Sequence, residues 1–272
     1  MQKPIKVITA NPPTIAEYWR EMKKYRSLIW VFAWQEVKVQ YAQTKFGLLW
    51  AILRPLFVLL LFTVLFKYLL KVETTSPYHL FAFAGMIAWN YFQQIVTLAS
   101  SSIVQRQNLI RKMYFPKLIL PLAKVVVASV EAGVSLLILM LFMLLSPEVW
   151  SINFLLLPLF ILLTAVSGLA IALWMNALNA KFRDLNQIVP TVIGVGIWFT
   201  PVFFPTTIIP PQFNIFLYLN PMAGIIKGYR FALLGEAFPE WQFWISISFV
   251  AILCAIGAWY LTQVEDDIVD YA

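Results

Sequence analysis

The stretch LILPLAKVVVASVEAGVSLLILMLFMLLS, residues 118–146, decides the fold of this chain. Lys124 and Glu131 are its only charged residues, and the other positions are apolar or small. An α-helix rises about 1.5 Å per residue, so about 20 apolar residues cross the ~30 Å hydrocarbon core of a bilayer. The stretch therefore predicts a transmembrane helix.

Similar apolar runs occur along the rest of the chain and predict six spans. The spans are about 48–70, 80–104, 118–146, 153–178, 187–205 and 241–263. The composition agrees, because 61% of the 272 residues are hydrophobic and 12% are charged, which is about half the charged fraction of a soluble domain. The sequence therefore predicts an all-α integral membrane protein with six transmembrane helices.

The segments outside the spans predict the boundaries of the regions into which the chain is divided. The link 206–240 is apolar but interrupted by prolines, which favours short re-entrant helices in this last outer loop. The first 27 residues lack the apolar region of a secretory signal peptide, so insertion is expected to begin at the first span. We expect a cytoplasmic N-terminal segment at 1–27, an amphipathic interface helix at 28–46, the transmembrane domain at 47–264 and a cytoplasmic tail at 265–272.

Positive charge predicts the orientation of the helices. With both termini on the cytoplasmic side, the only lysine and arginine residues in outer segments are Lys67, Lys71, Lys227 and Arg230. Basic residues concentrate in the cytoplasmic loops of membrane proteins. We therefore expect a multi-pass protein of the bacterial inner membrane with both termini in the cytoplasm.

The helix before the first span carries aromatic residues on one side. At 100° per residue, a narrow stripe forms from Trp30, Trp34, Val37 and Tyr41. Lys38 flanks the stripe and Glu36 lies across from it. This pattern is typical of a helix in the cytoplasmic headgroup layer. Packing on another protein domain is the alternative, and both interpretations can hold together.

Enzyme machinery and metal ligands are scarce in the sequence. His79 is the one histidine and Cys254 the one cysteine, and no cluster has metal-ligand spacing. No phosphate-binding loop of the G-x-x-x-x-G-K-[ST] type occurs. We expect a transport subunit with no catalytic residue, metal or cofactor of its own. The rival from another class is a membrane-embedded glycosyl- or acyltransferase.

Glu131 is the one carboxylate deep within a predicted span. A carboxylate in lipid is costly, so it usually has a function. It is either a proton-carrying group or a group hydrogen-bonded within the bundle, near Ser129 and Ser135. The second interpretation is favoured, because a proton-coupled carrier is expected to use more than one such group.

Aromatic residues make up 16% of the chain, including 11 Trp. Interfacial belts account for part of this content. Within the spans, aromatic faces can stack on the C–H faces of sugar rings, and the alternative is that they face lipid or pack. Our candidates for lining a carbohydrate channel are Phe57, Phe62, Trp89, Tyr91, Phe92, Trp198, Phe199, Phe203 and Phe204.

Five stretches resemble the ABC-2-type permeases that export O-antigen, capsule or teichoic acid. They are FAWQEVKVQYAQTKFGLLWAILRPL (32–56), NLIRKMYFPKLILPLAKV (108–125), ALNAKFRDLNQIVP (177–190), TPVFFP (200–205) and LNPMAGIIKGYRFALLG (219–235). They occur in the family's order and span nearly the whole chain from about residue 20. The similarity is greatest to the O-antigen and teichoic-acid branch.

The resemblance implies a function and an assembly. It implies a permease that moves a polyprenyl-diphosphate-linked glycan outward through a channel along the axis of a homodimer. Two copies of a separate cytoplasmic ABC ATPase would bind ATP and Mg, membrane lipid would surround the permease, and no nucleic acid is involved. The polymer stays open among O-antigen, teichoic acid and capsule. The alternative within transport is an ABC-2 permease for a small lipid or drug.

Two segments predicted to be cytoplasmic are expected to form contacts, one with the ATPase and one with another segment of this chain. The resemblance places a short ATPase-docking helix in the loop 105–117, and the coupling candidates there are Arg106, Arg111, Lys112, Tyr114 and Phe115. Arg183 and Asp184 point about 100° apart on a helix, so they are expected to find different partners. We expect Arg183 and Asp184 to brace the fourth and fifth spans against the amphipathic helix, with Glu36 and Lys38 as their partners. We call this contact the cytoplasmic brace.

Overall fold

The computed structural model describes residues 15–42, 49–146, 151–182, 184–238 and 241–264. Within these ranges the regular structure is entirely helical. The predicted tail at 265–272 and the first half of the predicted N-terminal segment lie outside the described residues. Residues 15–24 of that segment form a helix, α1 (Ile15–Lys24).

Each predicted span has a helix in its place. The first is α3 (Leu49–Phe62), which continues as a π-helix over Thr63–Leu69. The others are α4 (Tyr78–Ser100), α7 (Ile119–Leu144), α8 (Leu157–Lys181), α9 (Leu185–Gly196) and α12 (Gln242–Val264). Among the described residues, four helical stretches are long and apolar enough to cross a membrane, namely Ile52–Leu69, Ile119–Leu144, Ile152–Asn179 and Phe243–Tyr260.

The two remaining spans depart from that simple pattern for different reasons. The 23-residue helix α4 is long enough to cross but carries several amide side chains in its second half. The fifth span is short: α9 ends at Gly196, a 3-10 turn covers Ile197–Phe199, and the chain is then irregular up to Pro205. Pro201 accounts for this ending, because a proline disfavours helical backbone in the residue before it.

The segment between the fifth and sixth spans, predicted to be the last outer loop, folds back into the bundle. It contains two 3-10 turns, Thr206–Ile208 and Pro211–Phe213, and the helices α10 (Asn214–Tyr218) and α11 (Pro221–Leu234). The Asn220 side chain caps α11 by accepting from the Met222 N–H, and Gly235 ends it at φ 68°. Helix α11 is buried against α4, α8 and α12, which confirms the prediction of short re-entrant helices.

Before the first span, α2 (Arg26–Ala42) packs on α7. Phe32 and Ala33 are buried, whereas Trp30 and Trp34 of the predicted stripe are exposed. The Lys38 ammonium lies 5.5 Å from the centre of the Trp34 ring. Two short helices, α5 (Ser102–Gln105) and α6 (Gln107–Ile110), form the loop between α4 and α7.

Candidate functional site

A polar cleft of about 700 Å³ lies between α2, α3, α4 and α7. One face of α4 supplies much of its wall, where Asn90, Gln94 and Thr97 are four and three residues apart and Tyr91 is next to Asn90. Residues at that spacing share one side of a helix. A continuous polar stripe on an otherwise apolar membrane helix is costly in lipid, so the cleft is the strongest candidate for a functional site.

The opposite walls repeat the same spacing. Helix α7 contributes Glu131 and Ser135, and α3 contributes Trp50 and Arg54, each pair four residues apart. Gln40, near the end of α2, also lines the cleft. A carboxylate, a guanidinium, an indole and several amides thus face one volume, which suits a ligand with hydroxyl groups and negative charge.

The Glu131 carboxylate is held by two amides. Gln40 Nε2 donates to one carboxylate oxygen at 2.6 Å, and Gln94 Nε2 donates to the other. Nearby, the Tyr91 and Ser129 hydroxyls are 2.8 Å apart. Hydrogen bonds of this kind offset the free energy of placing a carboxylate in the bundle. Glu131 is therefore hydrogen-bonded within the bundle, as the favoured interpretation expected, although its two amide partners were not foreseen.

Tyr91, a predicted channel-lining residue, lies in this cleft, whereas the amides around it were not predicted. Asn90, Gln93 and Gln94 follow one another around Tyr91 in the sequence. A cluster of amides inside an apolar run was a usable signal, because such side chains are rare in lipid-facing positions. The channel candidates were chosen among aromatic residues only, so the amides were not included.

A second polar cluster, which we call the Glu36 cluster, joins α2 to α7 and to the loop between α4 and α7. The Glu36 carboxylate forms an ion pair with Lys124, which is buried, and lies 3.9 Å from Arg106 Nη2. Lys124 Nζ also donates to Gln105 Oε1 at 3.2 Å. The guanidinium of Arg106 lies 4.7 Å from the centre of the Phe32 ring. Through this cluster, a movement of the loop would be transmitted to α2 and α7 together.

The coupling candidates do not all face outward. Arg111, Lys112 and Tyr114 are exposed, and the Tyr114 hydroxyl donates to Glu21 Oε2 at 3.0 Å. Phe115 is buried, with its ring centre 5.8 Å from that of Phe32. The ATPase-docking role stays a prediction. The exposed Arg111, Lys112 and Tyr114 are better candidates for it than the buried Phe115.

The channel candidates fall into two groups. Trp89, Phe92 and Phe203 are buried in the main hydrophobic core, and Phe203 stacks on Phe62 at 3.6 Å between ring centres. Tyr91 is buried and reaches the cleft. The exposed members are Phe57, Trp198 and Phe199, and Phe204 is partly exposed. A channel-lining role stays a prediction for both groups.

Of the two residues of the predicted cytoplasmic brace, the structure describes one. Asp184 is exposed just before α9, whereas Arg183 lies outside the described residues. Glu36, the partner expected for Arg183, is engaged by Lys124 and Arg106. Val37 is partly buried in the contact between α2 and the loop, and nothing is described for the Tyr41 side chain.

Comparisons with known proteins agree with this architecture. A family model described as ABC-2 type transporter matches residues 27–234. An O-antigen export system permease protein (RfbA) of Myxococcus xanthus is 28% identical over 237 residues, which is 86% of this chain and 90% of the relative. A protein of the same name from Klebsiella pneumoniae is 26% identical, over 75% of this chain and 78% of the relative.

A third relative carries a different export name. The polysialic acid transport protein KpsM of Escherichia coli is 23% identical, over 82% of this chain and 86% of the relative. The family match begins within α2 and ends at the last residue of α11, so it covers the cleft, the Glu36 cluster and helices α10 and α11. This chain belongs to the ABC-2 type transporter family.

Proposed function

We propose that this chain is the membrane subunit of an ATP-driven exporter that moves a polyprenyl-diphosphate-linked polysaccharide out of the cytoplasm. The observation that carries the proposal is the similarity over most of the chain to permeases named for O-antigen export. The polar cleft supports it, since its amides, carboxylate and arginine suit a hydroxyl-rich, anionic substrate. The reaction is transport without covalent chemistry in this chain.

The assembly that goes with this function is a homodimer with two copies of a cytoplasmic ABC ATPase, which would bind ATP and Mg. The exposed Arg111, Lys112 and Tyr114 support an ATPase contact at the loop between α4 and α7, because Arg and aromatic side chains are enriched at protein interfaces and positive charge can complement an acidic partner surface. The distribution of lysine and arginine supports a location in the inner membrane with both termini in the cytoplasm.

The proposal is tested by transport in proteoliposomes. The permease and its ATPase are reconstituted with a fluorescent lipid-linked glycan in the outer leaflet. In vesicles with the ATPase outside, ATP should move the glycan into the lumen, where an added glycosidase cannot reach it. A hydrolysis-deficient ATPase is the control and should give no protection.

The same vesicles separate the proposal from its alternatives. ATP-dependent movement of a labelled phospholipid or a lipophilic dye, with none of the glycan, would identify a permease for a small lipid or drug. Covalent transfer of a sugar or acyl group to the probe, detected by mass spectrometry, would identify a membrane-embedded transferase. Either result would overturn polysaccharide export.

A further inference from the structure

We propose that Asn176 of α8 is a positioning residue, which holds a break in the helical path between α4 and α5. It thereby sets the direction in which the loop between α4 and α7 leaves the bundle. Asn179, one turn later in α8, assists it. The inference rests on the proposed function, because the partner that moves this loop is the ATPase. It adds to that function two residues that connect the loop to α8.

The helical path that begins with α4 is interrupted at Ser101. Helix α4 ends at Ser100, Ser101 has φ −108° and ψ 2°, and α5 begins at Ser102. These angles lie outside the range of a regular α-helix. Residues 97–106 include no proline or glycine. A side chain inserted between the backbone hydrogen-bonding groups is another common cause of a sharp change in helix direction.

The Asn176 side chain is inserted in this way. In a continuous α-helix, the Ile103 N–H would donate to the Ala99 carbonyl, four residues earlier. In this structure the Ile103 N–H donates to Asn176 Oδ1 at 3.4 Å, and Asn176 Nδ2 donates to the Ala99 carbonyl at 2.6 Å. The Ser102 hydroxyl also donates to that carbonyl, at 2.8 Å. One amide thus binds both backbone groups that a continuous helix would join to each other.

Asn179 adds a second contact of the same kind. It lies three residues after Asn176, so the two amides share one side of α8. Asn179 Nδ2 donates to the Ser100 carbonyl at 2.7 Å. Asn176 Nδ2 also donates to the carbonyl of Ala172 in its own helix, at 3.2 Å, which fixes the orientation of the amide. Both asparagines are fully buried, so water does not compete for these hydrogen bonds.

The break lies between the cleft and the loop. On one side, Thr97 of α4 lines the cleft. On the other side, Gln105 accepts a hydrogen bond from Lys124, and Arg106 belongs to the Glu36 cluster. Residues at the ends of helices are where a chain absorbs a change of direction. The amides of α8 therefore determine how the loop is oriented relative to the cleft, and a movement of the loop is transmitted to α8 as well as to α4.

Hydrogen–deuterium exchange of residues 101–106 tests the positioning role in the full-length permease in lipid nanodiscs. Asn176→Leu keeps a side chain of similar size but removes the bonds to both sides of the break, so these amides should exchange about tenfold faster. Asn179→Ala removes one bond and should give a smaller increase, about threefold. It also keeps the test decisive if Asn176→Leu does not fold. Exchange at the wild-type rate or slower would overturn the positioning role.

The consequence for transport is measured in proteoliposomes as the number of ATP molecules hydrolysed per glycan moved. In Asn176→Leu the loop is less firmly attached to α8, so this ratio should rise about threefold or more. Ser246→Ala is the matched control, because Ser246 is also fully buried and donates to the Tyr218 carbonyl, which joins α12 to α10. This variant should lower the unfolding midpoint and leave the ratio and the exchange of residues 101–106 unchanged.

The two measurements separate this inference from the proposed function. If the ratio in Asn176→Leu equals that in Ser246→Ala, the connection of Asn176 to transport is overturned, even where exchange is faster. A wild type that moves no glycan would overturn the proposed function. The exchange rates, which need neither ATP nor glycan, would then still decide whether Asn176 positions the loop.

Discussion

Arg230 Nη2 donates a hydrogen bond to the backbone carbonyl of Val202 at 2.7 Å. Arg230 belongs to the re-entrant helix α11, and Val202 lies in the irregular segment that follows α9. The guanidinium is buried and lies 3.4 Å from the centre of the Phe81 ring in α4. One arginine thus connects helix α11, the irregular segment after α9 and helix α4 to each other.

Replacing Arg230 should loosen this junction. Arg230→Met keeps much of the apolar stem but leaves the buried Val202 carbonyl without its donor, a loss of about 1–3 kcal/mol. The measurement is the thermal unfolding midpoint in detergent, followed by size-exclusion chromatography. Lys227→Met, one turn away and only partly buried, is the control and should change the midpoint little. Equal midpoints for the two variants would contradict the fastening role.

Close packing of α11 on α8 gives a second prediction. A Cβ atom on Gly228 would lie 2.1 Å from the Phe160 ring, and Phe160 is buried with no room to move aside. Gly228→Ala should therefore destabilise the protein by about 1–3 kcal/mol.

The control for this substitution is another helical glycine. A Cβ on Gly133 in α7 meets nothing within 4 Å, so Gly133→Ala should be neutral or stabilise the helix by up to about 1 kcal/mol. Both variants are compared by thermal unfolding in the same detergent. A loss of stability in Gly133→Ala equal to that in Gly228→Ala would show that the Phe160 contact is not the cause.

The positions of the helices followed from the sequence because a membrane span is encoded locally. Apolar runs, the charges between them and the prolines at 210, 211 and 221 are read one segment at a time. Contacts between distant segments were not accessible in this way. Nothing local pairs Glu36 with Lys124, or buries Phe115 against Phe32 while its neighbour Tyr114 stays exposed. These outcomes depend on how α2 lies across α7.

The ion pair between Glu36 and Lys124 should show strong energetic coupling. Glu36→Ala leaves the buried Lys124 ammonium without its carboxylate, which should cost about 3 kcal/mol or more. The double variant with Lys124→Ala should lose less stability than the sum of the two single variants. A double-mutant cycle of thermal unfolding measures the difference, and additive losses would rule out the pairing. A parallel cycle with Arg183→Ala tests the predicted brace to the same carboxylate.

Substitutions in the loop between α4 and α7 should separate a docking role from a packing role, because this loop carries both exposed and buried candidates. Arg111→Ala combined with Lys112→Ala removes exposed charge and should lower ATP hydrolysis per folded complex while leaving the unfolding midpoint unchanged. Phe115→Ala removes a buried ring and should instead destabilise the protein by about 3–5 kcal/mol. Arg20→Ala, an exposed arginine on α1, is the charge control. Normal hydrolysis in the Arg111 and Lys112 double variant would remove the docking role from these residues.

Phe199 and Phe203 give the sharpest test of a channel lined by aromatic residues, since they are close in sequence but differ in burial. The Phe199 side chain is 74% exposed and that of Phe203 is 1% exposed, with the Phe203 ring stacked on Phe62. Phe203→Ala should lower the yield of folded protein through the loss of about 3–5 kcal/mol of packing. Its export per folded molecule should fall only if the channel wall is disturbed as well.

Phe199→Ala should keep the wild-type unfolding midpoint, because the ring makes little contact within the subunit. If Phe199 stacks on passing sugars, export per inserted molecule should fall several-fold, as expected for the loss of about 1 kcal/mol of ring stacking. Surface polysaccharide is measured against membrane-inserted permease in cells that carry each variant. A Phe199→Ala variant that exports at the wild-type rate would show that this ring meets lipid or a partner subunit and does not line the channel.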